Sequence, residues 1–258
     1  MRAVAVHRDA IVVTSRIWRT TATAIRRGDE AVLIDSPYFP DELELLPTLL
    51  EQAGFRPSGL LATHADYDHL LGRLAFPGLA LGVGQTTAER LRAEPGAAQR
   101  ELRDADAEHY VARPAPLSLG AFQALPAPGY VGLGDAEIEA HPVEGHTRDG
   151  TAFLAPFAGV LVCGDYLSDV EIPLIAAGGS LTDYRDTLTR LGSLLDRAEV
   201  VVPGHGTPHD RDTARRLLEE DGAYLDALER GEERPRLPSG RDTARQRQIH
   251  AGNLAKHG

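Results

Sequence analysis

The sequence holds one cysteine, Cys163, so no intrachain disulfide can form. No apolar run approaches the roughly 18 residues that a membrane-spanning helix requires. The opening stretch, MRAVAVHRDAIVV, breaks its apolar positions with charge and lacks the continuous core of a signal peptide. Basic residues are also short: 27 Lys and Arg against 38 Asp and Glu leave a net charge of −11. A nucleic-acid or anionic-membrane partner needs a basic surface, so neither is expected. Internal repeats and low-complexity tracts are missing as well. Together these absences point to a cytoplasmic protein and weaken any secreted, antibiotic-degrading role.

What is present suits a folded enzyme. The 258 residues are 42% hydrophobic and 25% charged, enough for one large domain or two small ones with a substantial core. AIVVTSRIW and TATAIRRGDEAVLID read as strands, the second turning at Gly28-Asp29. Residues 41–53 read as a helix closed by Gly54, and 86–112 as helix broken at Pro95-Gly96. Residues 113–135, rich in Pro, Gly and Ala, read as a long loop or excursion. AEIEAHPV, GTAFLAPFAGVLVCGD and EVVVPGHG supply further strands. SLTDYRDTLTRLGSLLDRA is a helix, with Ser180 and Asp183 at capping spacing and a stripe of Leu181, Tyr184, Leu188, Leu191 and Leu195. DTARRLLEEDGAYLDALERG is the final amphipathic helix. The Arg-rich segment 231–258, with Arg230, Arg234, Arg236, Arg241, Arg245 and Arg247 in or beside it, is expected to be a solvated surface segment packed on or extending from a 1–230 domain. Two batches of strands, each followed by helices, predict an α/β sandwich with two inner sheets and outer helices.

The chemistry concentrates in LLATHADYDHLLG, which carries His64, Asp66, Asp68 and His69 within six positions. Three later segments have the same form: VEGHTRDG with His146, LVCGDYLSD with Asp165, and VVPGHGTPHD with His205. Each places an imidazole or carboxylate in a Gly-containing turn after an apolar strand, so the groups can converge on one sheet edge. Imidazole and carboxylate suit zinc, iron and manganese. Taken singly, an Asp after a strand is an ordinary turn residue and a His in PGHG an ordinary loop residue. The four segments in this order are harder to explain that way.

THADYDH, GHT, CGD and PGHG, spaced 77, 19 and 40 residues apart from His69 to His146 to Asp165 to His205, resemble the metallo-β-lactamase superfamily and within it the glyoxalase II-like hydrolases. The resemblance implies an αβ/βα four-layer sandwich with the site at one edge. It implies that His64 and His146 hold one metal, that Asp68, His69 and His205 hold a second, and that Asp165 bridges them. It implies two divalent ions, zinc foremost, with iron and manganese as alternatives.

Asp66 departs from that pattern, which has histidine there. It either ligates as a carboxylate, leaves the first site weak or empty, or marks lost chemistry. Asp is shorter than His, so ligation requires a shift of the metal or loop, or a water. Two divalent ions against Asp68, Asp165 and a bridging hydroxide leave one positive charge, and Asp66 cancels it. Such a set favours a harder ion and softens the Lewis acidity at bound water.

The implied reaction is attack by a metal-bound hydroxide on an ester, thioester or lactone of a small molecule, with Asp68 orienting the hydroxide or taking a proton. A non-haem iron oxidoreductase of the same fold and a degenerate, non-catalytic member are the alternatives. Tyr67, Tyr166 and Ser168, with Asp169, are candidates for the substrate pocket, although packing and loop roles explain them as well. Cys163 is expected to be buried. His141 and His209 flank the motifs without matching them. Oligomeric state is left open, a homodimer being one reading.

Overall fold

Side chains of a strand alternate between two faces, and here the central strands of both sheets are buried on both. The protein is described by a computed structural model covering residues 1–238 and 240–257. Among the described residues, one sheet runs β1 (Arg2–His7), β2 (Ala10–Thr14), β3 (Thr21–Arg27), β4 (Glu30–Asp35), β5 (Pro57–Ala62), β6 (Ala80–Gly84) and β7 (Phe122–Leu125), side by side in chain order. It is antiparallel as far as β4 and parallel from there on. Its helices are α1 (Pro40–Gln52), α2 (Gly72–Ala75), α3 (Gln85–Ala93) and α4 (Ala97–Glu108). The second sheet runs β8 (Gly129–Leu133), β9 (Ala136–Pro142), β10 (Thr151–Ala155), β11 (Val160–Val162), β12 (Val200–Val202) and β13 (His209–Asp210). Only β11 and β12 pair in parallel there, because α5 (Leu181–Leu195) makes the crossover between them. Helices α6 (Arg211–Glu229) and α7 (Ala244–His257) complete the chain.

Three apolar layers result. Ala24, Leu33, Leu60 and Ala62 meet Leu46 and Leu50 of α1 and Leu102 of α4. The alternate positions Ile25, Val32, Ile34 and Leu61 meet Phe153, Ala155, Val160 and Val202 of the second sheet. Ala152, Leu154, Leu161 and Val201 meet Tyr184, Leu188, Leu191 and Leu195 of α5 and Leu217 of α6. Each large side chain so enclosed contributes about 1.5–3 kcal/mol. This is the expected αβ/βα sandwich. The expected cap is present too: Ser180 Oγ accepts from Asp183 N at 3.2 Å.

Two expectations need correction. Residues 113–135 are not only a loop, since β7 and β8 lie there and carry the chain from the edge of one sheet to the edge of the other. The segment 231–258 is not merely a solvated surface segment either: α7 follows α6, Arg241 is 1% exposed, and Gln246, His250 and Asn253 are buried. Arg241 pairs with Asp221 inside the protein, and with Glu220 at 2.8 Å. Gln246 and Asn253 accept from the backbone N–H groups of Ile172 and Ile175 at 2.8 and 3.0 Å. The C-terminal helix therefore clasps the loop that follows Asp165.

Candidate metal centre

Strand ends gather the site. β5 delivers Thr63 and His64, and the helical turn Tyr67–His69 brings Asp68 and His69 back to the same edge. His146 sits between β9 and β10 in a turn where Gly145 adopts φ +123°; a Cβ there would lie 2.2 Å from Tyr184 N. The parallel pair β11 and β12 sets Asp165 beside His205. Gly204 has no room for a side chain, because a Cβ would fall 2.1 Å from Asp165 Oδ1 and 2.9 Å from His69 Cε1.

The seven expected ligands are brought together in three overlapping groups able to hold a metal: His64, Asp66 and His146; Asp68, His69 and His205; and His64, His69 and Asp165. Asp165 stands at the middle. Its Oδ2 lies 3.7, 3.3 and 3.3 Å from the Nε2 atoms of His64, His146 and His205, and its Oδ1 lies 3.2 Å from His69 Nε2. Asp66 Oδ2 lies 3.6 and 3.5 Å from His64 and His146 Nε2. Asp68 Oδ2 lies 3.8 and 3.4 Å from His69 and His205 Nε2.

The outer nitrogen of every imidazole is engaged. Nδ1 of His64 meets Thr63 Oγ1 at 3.0 Å, that of His69 meets Asp35 Oδ2 at 3.0 Å, that of His146 meets Leu174 O at 2.8 Å, and that of His205 meets Trp18 O at 3.2 Å. A proton on Nδ1 leaves the Nε2 lone pair facing inward, the arrangement of histidines that hold metals. Within the protein, Nε2 of His64, His69 and His146 and Oδ1 of Asp165 are buried without a hydrogen-bond partner. Buried polar atoms seldom go unsatisfied, and a cation among them fits this donor set.

The same crowding sets the charges. Burial alone would lower His146, but the facing carboxylates of Asp66 and Asp165 raise it to about 9. Burial likewise opposes the rise of His205 to about 10, which Asp165 and Glu171 drive. Against burial, the neighbouring histidines hold Asp66 and Asp165 well below the usual carboxylate range.

Asp66 reaches the centre, and its partners include a residue that the sequence did not single out. Its Oδ1 accepts from Arg90 Nη1 of α3 at 2.8 Å. The same Nη1 donates to buried Asp149 Oδ1 at 2.8 Å, and Asp149 Oδ2 accepts from Ala65 N at 2.9 Å. The guanidinium supplies one positive charge that the sequence-based balance omitted, shared between Asp66 and buried Asp149.

Asp35 was missed as well. At the end of β4 it takes φ +59°, a conformation that Asp tolerates better than most residues. It accepts from Thr63 N at 2.8 Å and Thr63 Oγ1 at 2.9 Å besides His69. An acidic residue closing an otherwise apolar strand was the available signal.

The remaining candidates lie as follows. Tyr67 is partly buried, its ring 6.4 Å from those of Trp18 and Tyr38. Tyr166 is 2% exposed; its hydroxyl accepts from His146 N at 2.9 Å and donates to Val143 O at 3.2 Å. Ser168 is buried, and its Oγ donates to His205 O at 2.6 Å. Their hydroxyls thus hold the backbone of two candidate ligands. Ser168 also borders an internal cavity of about 10 Å³ beneath His146, Asp165 and His205. Asp169 accepts from Thr207 N and Oγ1 at 3.0 and 2.9 Å. Cys163 is buried, and burial pushes its thiol up. His141 pairs with Glu139 at 3.0 Å, and His209 lies 3.9 Å from Asp169; neither joins the cluster.

Comparison with known proteins bears on this arrangement. The family model described as Metallo-beta-lactamase superfamily matches residues 16–205. A metallo-beta-lactamase family protein from Thermus thermophilus superposes with a TM-score of 0.68 at 19% identity, covering 88% of this chain and 83% of that one. A metallo-beta-lactamase from Pontibacter korlensis gives 0.61 at 20% identity, covering 84% and 98%. A third structure, of the protein TTHA1623 in a di-iron-bound form, gives 0.61 at 24% identity, covering 80% and 97%.

Proposed function

Because the chain belongs to the metallo-beta-lactamase superfamily, we propose that it is a glyoxalase II-like, metal-dependent hydrolase that cleaves an ester, thioester or lactone of a small molecule. The observation that carries the reading is the convergence of four imidazoles, their outer nitrogens tied, on three carboxylates around Asp165. His64, Asp66 and His146 would hold one divalent ion, Asp68, His69 and His205 another, with Asp165 shared. Such ions supply a Lewis acid for a carbonyl oxygen and bring the ionisation of water close to neutral pH.

The protein's own groups do the rest. Asp68 would orient the attacking water, take its proton as the bond to the carbonyl carbon forms, and return that proton to the leaving group as the tetrahedral intermediate collapses. Asp35 holds the His69 ring in one tautomer. Tyr67, its ring 6.4 Å from that of Trp18, would offer an aromatic surface to the acyl or leaving group.

Zinc is the expected ion. The carboxylate of Asp66 favours iron or manganese, and the di-iron form of TTHA1623 supports iron as the alternative. Iron alone leaves hydrolysis standing, whereas oxygen uptake would favour an oxidoreductase. The test is a panel of chromogenic esters, thioesters and lactones, with metal content measured on protein purified without chelators. Turnover of one class, lost in His69→Ala, is the expected result. Two bound metal equivalents with no turnover across the panel would sink the hydrolase.

A further inference from the structure

The two oxygens of Asp66 have different neighbours. Oδ2 faces the Nε2 atoms of His64 and His146, at 3.6 and 3.5 Å. Oδ1 is held by Arg90 Nη1 at 2.8 Å. Arg90 is itself fixed: Asp149 Oδ1 takes the same Nη1 at 2.8 Å, Glu94 Oε2 lies 3.5 Å from Nε, and the side chain is only 12% exposed. Asp149 closes the circuit by accepting from Ala65 N, the backbone just before Asp66, at 2.9 Å.

A neutral imidazole presents one lone pair on one atom and adds no charge. A free carboxylate presents two oxygens, can chelate through both, and adds a negative charge. Tying Oδ1 leaves a single oxygen facing the centre, and the guanidinium, shared with Asp149, offsets part of the added charge. Anchoring Ala65 holds the loop where the shorter side chain still reaches. We propose that Arg90 is the positioning residue that allows an aspartate at 66 to replace a histidine, and that Arg90, braced by Asp149, turns Asp66 into a single-atom ligand. The inference rests on the metal-centre reading above and deepens it at one ligand.

The test is a metal titration on chelator-treated protein, with Zn²⁺ and separately Mn²⁺, following bound metal by equilibrium dialysis. Four chains are compared: the native protein, Arg90→Met, Asp66→His, and the double variant. Arg90→Met should weaken one of the two binding steps by about 10–100-fold, the range found when a partner orienting a ligand is removed, and leave the other unchanged. In the Asp66→His background the same change should weaken binding far less, because an imidazole has no second oxygen to tie and adds no charge. That dependence on background separates the proposal from a merely structural role, which would weaken binding equally in both. If Arg90→Met does not fold, Arg90→Gln supports the same comparison, keeping a donor while removing the charge.

Equal losses in both backgrounds, or native-like binding in Arg90→Met, would overturn the proposal while leaving the metal centre intact. Failure of the native protein to bind either ion would remove the metal centre itself, and this inference with it.

Discussion

The two halves of the centre share Asp165 and are supported in different ways. The Asp68, His69 and His205 half leans on the first sheet. His69 is held by Asp35 at the end of β4, and His205 by the Trp18 carbonyl just before β3. The His64, Asp66 and His146 half leans on side chains and loops from further out. Asp66 needs Arg90 from α3, and His146 needs the Leu174 carbonyl, part of a loop clasped by α7 through Gln246 and Asn253. A ligand fixed by a strand end moves only with the sheet. One fixed by a chain of side chains can be lost link by link. The second kind of half is therefore the one in which an unusual ligand can be accommodated, and the one expected to fail first.

The largest effect should come from removing what the halves have in common. Asp165→Asn is expected to lower hydrolysis by more than about 100-fold, beyond the roughly 10–100-fold lost when only a partner orienting a ligand is removed. It should also drop bound metal below one equivalent per chain, as read by mass spectrometry. Retention of two equivalents would mean that Asp165 is not shared.

Next comes the clasp behind the His146 half. Arg241→Met leaves Asp221 buried without its partner, and removing one member of a buried ion pair costs about 3–5 kcal/mol. Urea denaturation should show that loss, and a metal titration should show one binding step weakened more than the other. Equal weakening of both steps would erase the proposed difference between the halves.

Asp35→Ala reaches both halves, because Asp35 orients His69 directly and His64 through Thr63 Oγ1. A metal titration should show the step that depends on His69 weakened by about 10–100-fold and the other step weakened less. Equal loss of both steps would mean that the Thr63 relay holds His64 as firmly as Asp35 holds His69.

A further effect is one of pH. His146 and His205, raised to about 9 and about 10 by the carboxylates they face, carry protons at pH 7 when no metal is bound. An imidazole whose folded pKa lies above its unfolded value stabilises the fold most fully below about 6.5, and that contribution fades as pH rises through the folded value. The metal-free protein should therefore lose thermal stability between about pH 6.5 and 10. Metal binding must displace these protons, so it should tighten over the same interval. The gap in Tm between metal-loaded and metal-free protein is expected to widen with pH. A gap that stays constant would contradict the ion pairing described here.

The ligand set was legible because each member follows an apolar strand in a glycine turn, a local pattern. Helix α5 was legible because its cap and its stripe lie within one segment. The strands β7 and β8 were obscured by Pro and Gly and by their places at sheet edges, where partial exposure weakens alternation. Helix α7 escaped for a different reason: Gln246, His250 and Asn253 are buried for their hydrogen bonds, which hydrophobic periodicity does not register.

By itself the sequence determined the two-sheet sandwich, the order of the motifs and six of the groups that converge, with Asp66 left open, because strand alternation and strand-end turns are properties of neighbouring residues. Only the tertiary structure decided how those groups are held. Arg90 stands 24 residues from Asp66 and 59 from Asp149 along the chain. A charged residue on an amphipathic helix looks solvent-facing until the fold lays that helix across the site. The orientation of each imidazole, the charge on each carboxylate and the tolerance of aspartate at position 66 all depend on contacts between distant segments, which exist only once the sheets have packed.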